Sequence, residues 1–186
     1  MPDAYKFKFK ICLMGANSVG KTSLIRRYVF AEYEDKYIKT IGTKITKKKI
    51  EIPHPNNGGL YDIQLHIWDI MGDKGFRELL KEAYFYGSQG IIAICDVTKR
   101  ASLPALYGWM ITAQSIVGDV PVVFLGNKAD LANQQQVALR ELESFASKYD
   151  KSQAFLSSAK TGLNVELAFR TLSEKLAEEA LNPPNP

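Results

Sequence analysis

The chain has 186 residues, 46% hydrophobic and 24% charged, with 13 Gly and 8 Pro, a composition that excludes collagen-like, disordered and disulfide-scaffold classes. One domain accounts for that length and would bury about 70% of the surface its unfolded form exposes. The net charge of +4 neither demands nor excludes an anionic partner, and the two cysteines, Cys12 and Cys95, each inside an apolar run, point to small buried thiols in a reducing compartment.

Apolar runs and helical patterns alternate along the chain, which predicts an α/β domain around a mostly parallel sheet. A first strand is expected from about Lys8 to Met14, and a helix from about Lys21 to Phe30 with Leu24, Ile25, Tyr28 and Val29 on its apolar face. Residues Lys44 to Ile52 and Leu60 to Trp68 read as an antiparallel pair, because Asn57-Gly58-Gly59 between them supplies the positive φ angles of a hairpin turn. Further strands are expected at Gly90 to Asp96, Val120 to Gly126 and about Ala154 to Leu156. Three more helices are marked by shared apolar faces: Leu103, Leu106, Met110 and Val117; then Leu142, Phe145, Ala146 and Tyr149; then Val165, Ala168, Phe169, Leu172 and Leu176. The end, Asn-Pro-Pro-Asn-Pro186, cannot continue a helix, so residues 1–180 read as the domain and 181–186 as a short disordered Pro-rich tail. No apolar run approaches the ~20 residues of a membrane span, and Met-Pro-Asp-Ala does not open a signal peptide.

Directly after the first strand stands Gly15-Ala16-Asn17-Ser18-Val19-Gly20-Lys21-Thr22, the GxxxxGK[ST] pattern, leading into the first helix. Its glycines let successive N–H groups turn inward around phosphate oxygens, where the N-terminal end of the helix dipole adds favourable potential. Lys21 supplies a point charge for terminal phosphates, and the Thr22 hydroxyl is placed to coordinate Mg²⁺. A second acidic ligand is expected at a neighbouring strand end. Asp69 and Asp96 both qualify; Asp69 is preferred because Gly72 follows it, where the backbone can approach a γ-phosphate closely.

With these motifs the sequence resembles the Ras-superfamily small GTPases, most of all the Rab branch, from about Lys8 to Leu176. Asn127-Lys128-Ala129-Asp130 matches the family's NKxD, in which a carboxylate accepts from the guanine N1–H and amine. Ser158-Ala159-Lys160 matches the SAK loop, and Tyr33 falls where the family sets an aromatic ring against the base. The resemblance implies a P-loop NTPase three-layer domain with a six-stranded mixed sheet in the order 2-3-1-4-5-6, one antiparallel edge strand and helices on both faces. It implies a nucleotide site of Asn17, Ser18, Val19, Gly20, Lys21, Thr22, Ser23, Tyr33, Tyr37, Thr40, Gly72, Asn127, Lys128, Asp130, Ser158, Ala159 and Lys160. Mg²⁺ would be held by Thr22, Thr40 and Asp69, with GTP or GDP as ligand, and the catalytic set would be Asp73, Gly72 and Lys21. The expected activity is a cytoplasmic, monomeric GTPase switch.

The family's DTAGQ reads here as Asp69-Ile70-Met71-Gly72-Asp73. A Gln side chain accepts from the attacking water and donates toward the transferred group, whereas Asp73 accepts without donating and adds negative charge. Slow intrinsic hydrolysis is therefore expected, and a GTP-bound interaction module with negligible turnover is the alternative; an ATP-using P-loop kinase is disfavoured by Asn127 to Asp130. Effector, exchange and activating proteins are expected to bind through Tyr37 to Ile45 and through Trp68 to Phe85, including Tyr84. No Cys follows Cys95, so no prenylation signal is visible in this sequence. Membrane contact is expected only indirectly or through basic residues, with Lys44, Lys47, Lys48 and Lys49 as the run to test, although edge-strand lysines usually block sheet-to-sheet pairing. No nucleic acid is expected.

Overall fold

Strand β1, Ala4–Met14, changes character halfway along. Its first half, Tyr-Lys-Phe-Lys-Phe-Lys, alternates rings and ammonium groups, the period-2 pattern of a strand with one covered face. Residues 11–14 are all buried, as in a parallel strand covered on both faces. Pairing explains the change. Strand β1 runs beside β3 (Leu60–Ile70) from Ala4 onward, but beside β4 (Gly90–Asp96) only over residues 11–14.

The computed structural model describes residues 4–34, 42–54, 59–70 and 82–182. With β2 (Thr43–Pro53), β5 (Val122–Asn127) and β6 (Ser152–Leu156), these form a six-stranded sheet in the order β2-β3-β1-β4-β5-β6. Among the described residues only β2 and β3 pair antiparallel. The mixed, doubly wound sheet expected from the sequence is thus the one that forms.

Helices α1 (Lys21–Phe30), α2 (Ser102–Val117), α3 (Leu139–Ala146) and α4 (Val165–Leu181) cover the two faces. Strand residues partition between two cores by parity. Ile11, Leu13, Ile92, Ile94, Val123 and Leu125 pack with α1 and α4, whereas Cys12, Met14, Ile91, Ala93, Cys95 and Phe124 pack with α2 and α3. Tyr28 of α1 stacks on Phe169 of α4 with ring centroids 3.9 Å apart, locking the first face.

Several boundaries differ from the sequence reading. Strand β1 begins at Ala4 rather than Lys8, because Phe7 and Phe9 find a covered face against the first core. Strand β5 begins at Val122, and α4 continues to Leu181. Helix α3 stops at Ala146; Tyr149, expected on its face, lies beyond the end, with its ring 5.5 Å from that of Phe124. The β2–β3 register sets Pro53 opposite Leu60, and the His54 N–H donates to the Gly59 carbonyl at 2.9 Å. The Asn57-Gly58 turn and the tail residues 183–186 lie outside the described residues. Among the described residues no helix is long and apolar enough to cross a membrane.

Candidate functional site

The site forms where β1, β3, β4 and β5 end, the edge at which an open α/β sheet presents its loops. Strand β1 delivers the chain into a turn that only glycine can make. Gly15 has φ +145°, and a Cβ there would collide with the Ile94 carbonyl; Gly20 has φ +101°, and a Cβ would strike the Asn127 amide. Gly20 then serves as N-cap of α1, whose first residues are Lys21 and Thr22.

Lys21 is 6% exposed, and its ammonium donates to the carbonyls of Gly15 at 2.8 Å and Ala16 at 2.9 Å. Burial lowers it to about 8, while the nearby Asp69 carboxylate pulls the other way. Thr22 Oγ1 donates to Asp69 Oδ2 at 2.5 Å, joining the start of α1 to the end of β3. Asp69 is 1% exposed.

The rival carboxylate, Asp96, is differently engaged. Its Oδ2 receives Lys128 Nζ at 2.6 Å, and its Oδ1 receives the Thr98 amide and hydroxyl at 2.9 and 2.6 Å. Burial pushes Asp96 up, but the Lys128 and Thr98 hydrogen bonds outweigh it and hold the carboxyl below its usual range. The geometry therefore pairs Asp69, and not Asp96, with the Thr22 hydroxyl.

Asn127, the last residue of β5, is 1% exposed and joins three loops. Its amide donates to the Val19 carbonyl at 2.8 Å, and its Oδ1 accepts from Ala159 N at 3.2 Å and Ser157 Oγ at 3.4 Å. Asp130 Oδ1 accepts from Ser158 Oγ at 2.6 Å, and Ser158 Oγ in turn accepts from the Thr161 amide at 3.1 Å. The glycine turn, the Asn127-to-Asp130 segment and the Ser158-to-Lys160 loop are thereby brought together.

Arg27, which sequence reasoning did not single out, ties α1 to that loop by donating to the carbonyls of Ala159 at 2.7 Å and Lys160 at 2.5 Å. Its guanidinium also lies 6.0 Å from the Tyr33 ring. Arg26 holds the segment after α1 through a two-pronged pair with Glu34 at 2.8 and 2.9 Å. The only local cue to either arginine was a cation in the last turns of a helix, which ordinarily signals dipole compensation.

Tyr37, Thr40, Met71, Gly72 and Asp73 lie outside the described residues. Two expected partner contacts need correction. Tyr84 and Phe85 are 2% and 0% exposed and belong to the second core, where Tyr84 Oη donates to the carbonyls of Leu13 at 2.9 Å and Trp68 at 2.6 Å. Tyr84 thus braces the ends of β1 and β3, and both rings are buried in the second core. Trp68 is half-buried under Lys10, whose Nζ sits 3.8 Å from the ring centroid.

Comparison with known proteins gives a consistent picture. The family model described as the Ras family matches residues 10–178. The chain is 32% identical over 174 residues to the Ras-related protein Rab-27B of Homo sapiens, covering 90% of this chain and 79% of that protein. It is 32% identical over 168 residues to the GTP-binding protein ypt4 of Schizosaccharomyces pombe (90% and 70% covered), and 32% identical over 178 residues to the Ras-related protein Rab-4A of Rattus norvegicus (95% and 78% covered).

Proposed function

This chain belongs to the Ras family of small GTPases, and from that premise we propose that it is a switch that binds GTP or GDP with Mg²⁺, hydrolyses GTP slowly and recruits partner proteins according to the nucleotide bound. The observation that carries the reading is the meeting of Thr22 and Asp69 oxygens at 2.5 Å beside the buried Lys21 ammonium in a glycine turn. Both are hard oxygen donors, and Mg²⁺ takes one or two such protein ligands together with phosphate oxygens and water. When bound, the ion neutralises phosphate charge.

The chain's own residues do the rest. Lys21 exchanges the Gly15 and Ala16 carbonyls for phosphate oxygens, and the N–H groups from Asn17 to Ser23 cradle the phosphates at the start of α1. Asp130 accepts from the guanine edge while Ser158, Ala159 and Lys160 close over it, with Lys128 and Tyr33 along the base. Thr40 and Gly72, drawn to the γ-phosphate, order the segments around them, and loss of that phosphate releases them. Asp73 accepts from the attacking water without donating toward the phosphoryl group, which limits the rate.

The test is binding of a fluorescent GDP with and without Mg²⁺. Asp69→Asn should lower the Mg²⁺-dependent part by about 10- to 100-fold; an unchanged Mg²⁺ dependence would remove Asp69 from the metal site. A second reading, a GTP-bound interaction module with negligible turnover, is favoured by Asp73 itself. Hydrolysis measured with and without cell extract separates the two, because a partner-dependent enzyme accelerates and a module does not.

A further inference from the structure

The alternating half of β1 and the two strands beside it share a face that neither core uses. Register places Lys6, Lys8 and Lys10 of β1 beside Asp62, Gln64 and His66 of β3, and these in turn beside Glu51, Lys49 and Lys47 of β2. The alternate residues of the same strands, among them Phe7, Phe9, Ile63 and Ile52, point into the first core against α1 and α4. Four of the five lysines are exposed, and Lys10 is half-buried.

Five lysines stand on this face against two acids, Glu51 and Asp62, a net of +3 on one small face of a chain whose overall net charge is +4. Sequence order hides the patch. The run of lysines in β2 is split by the pleat: Lys48 turns to the other face, where its Nζ lies 3.5 Å from the Val29 carbonyl and 5.5 Å from the Tyr28 ring centroid. The lysines of β1, more than 35 residues upstream, complete the face instead.

We propose that this open face of β1, β2 and β3 docks the protein on an anionic lipid surface. Charge complementarity is the first argument, since lysines close to an anionic surface each add favourable energy. The kind of cation is the second. All five are Lys, a strongly hydrated point charge suited to a diffuse field of headgroups; protein interfaces instead deplete Lys and favour Arg, whose fork pairs with carboxylates. Apolar groups at the margins are the third. Ile45 and Leu60, on the same face, are 49% and 41% exposed, and Tyr86, whose carbonyl accepts from Lys10 at 2.7 Å, is 77% exposed. Such side chains sit favourably at headgroup depth.

Sedimentation of the full chain with vesicles of phosphatidylcholine alone, or with about a third phosphatidylserine, tests this. Binding should require phosphatidylserine and fall steeply with salt. Replacing Lys6, Lys8 and Lys47 together with Thr should lower partitioning by about a hundredfold. Replacing Lys99, Arg140 and Lys148, which lie outside this face, removes the same charge and should leave most of it. Melting curves confirm that both variants are folded. Equal binding to neutral vesicles, no binding at all, or an equal loss in the two variants would overturn the proposal. So would tighter capture by duplex DNA or by poly-glutamate than by the vesicles, since either would reassign the face to another polyanion.

Discussion

Lys21 is a charge held inside the protein by two carbonyls of its own loop, and that gives the nucleotide-free state a pH signature. Its folded value of about 8 lies below the ordinary 10.5, so between those values the unfolded chain binds more protons and stability rises with pH. Two buried thiols act in the opposite sense: Cys12 and Cys95 are raised by burial from 9.0 to about 11 and about 12, so their contribution is complete below 9 and is lost above it. Between pH 8 and 9 the Lys21 effect therefore acts without theirs. The melting temperature of nucleotide-free protein should rise over that interval, and Lys21→Met should abolish the rise; a rise that survives the substitution assigns it to another group. At position 73, Asp73→Gln should speed single-turnover GTP hydrolysis, and a rate no faster than that of the starting protein would remove Asp73 as the brake. Lys21, Thr22 and Asp69 were legible because each belongs to a short motif whose chemistry fixes its spacing. Arg27 was not, because its partners Ala159 and Lys160 lie more than 130 residues away in sequence.

At the scale of elements, the strands were legible where burial is uniform and misread where it changes along the strand. Strand β4 is buried throughout and was expected at its observed bounds. Strand β1 was expected four residues short, since its first half looks like a polar lead-in until β3 and the first core supply a covered face. The segment that follows Trp68 shows the opposite error. Tyr84 and Phe85 look like surface aromatics by resemblance, yet the Tyr84 hydroxyl bridges the ends of β1 and β3 from inside the second core. Removing that hydroxyl takes a buried donor away from two strand-end carbonyls. Tyr84→Phe should accordingly cost about 1–3 kcal/mol in urea unfolding; a change below about 0.5 kcal/mol would show that the bridge contributes little.

For the whole molecule, the sheet order and the two cores followed from alternating apolar runs, because parallel strands buried on both faces leave few ways to arrange the helices. The charged face did not follow, since which lysines stand together depends on register between strands far apart in the chain. The same sheet thus carries the glycine turn at its strand ends and a basic surface on the flank of β1, β2 and β3. The central claim, a guanine-nucleotide switch, rests on Asp130 and the Ser158-to-Lys160 loop selecting the base once the glycine turn has taken the phosphates. Competition against labelled GTP is the measurement that tests it most directly. Unlabelled GDP at equal concentration should displace about half of the label, and ATP at that concentration essentially none; displacement by ATP as effective as by GDP would contradict the account.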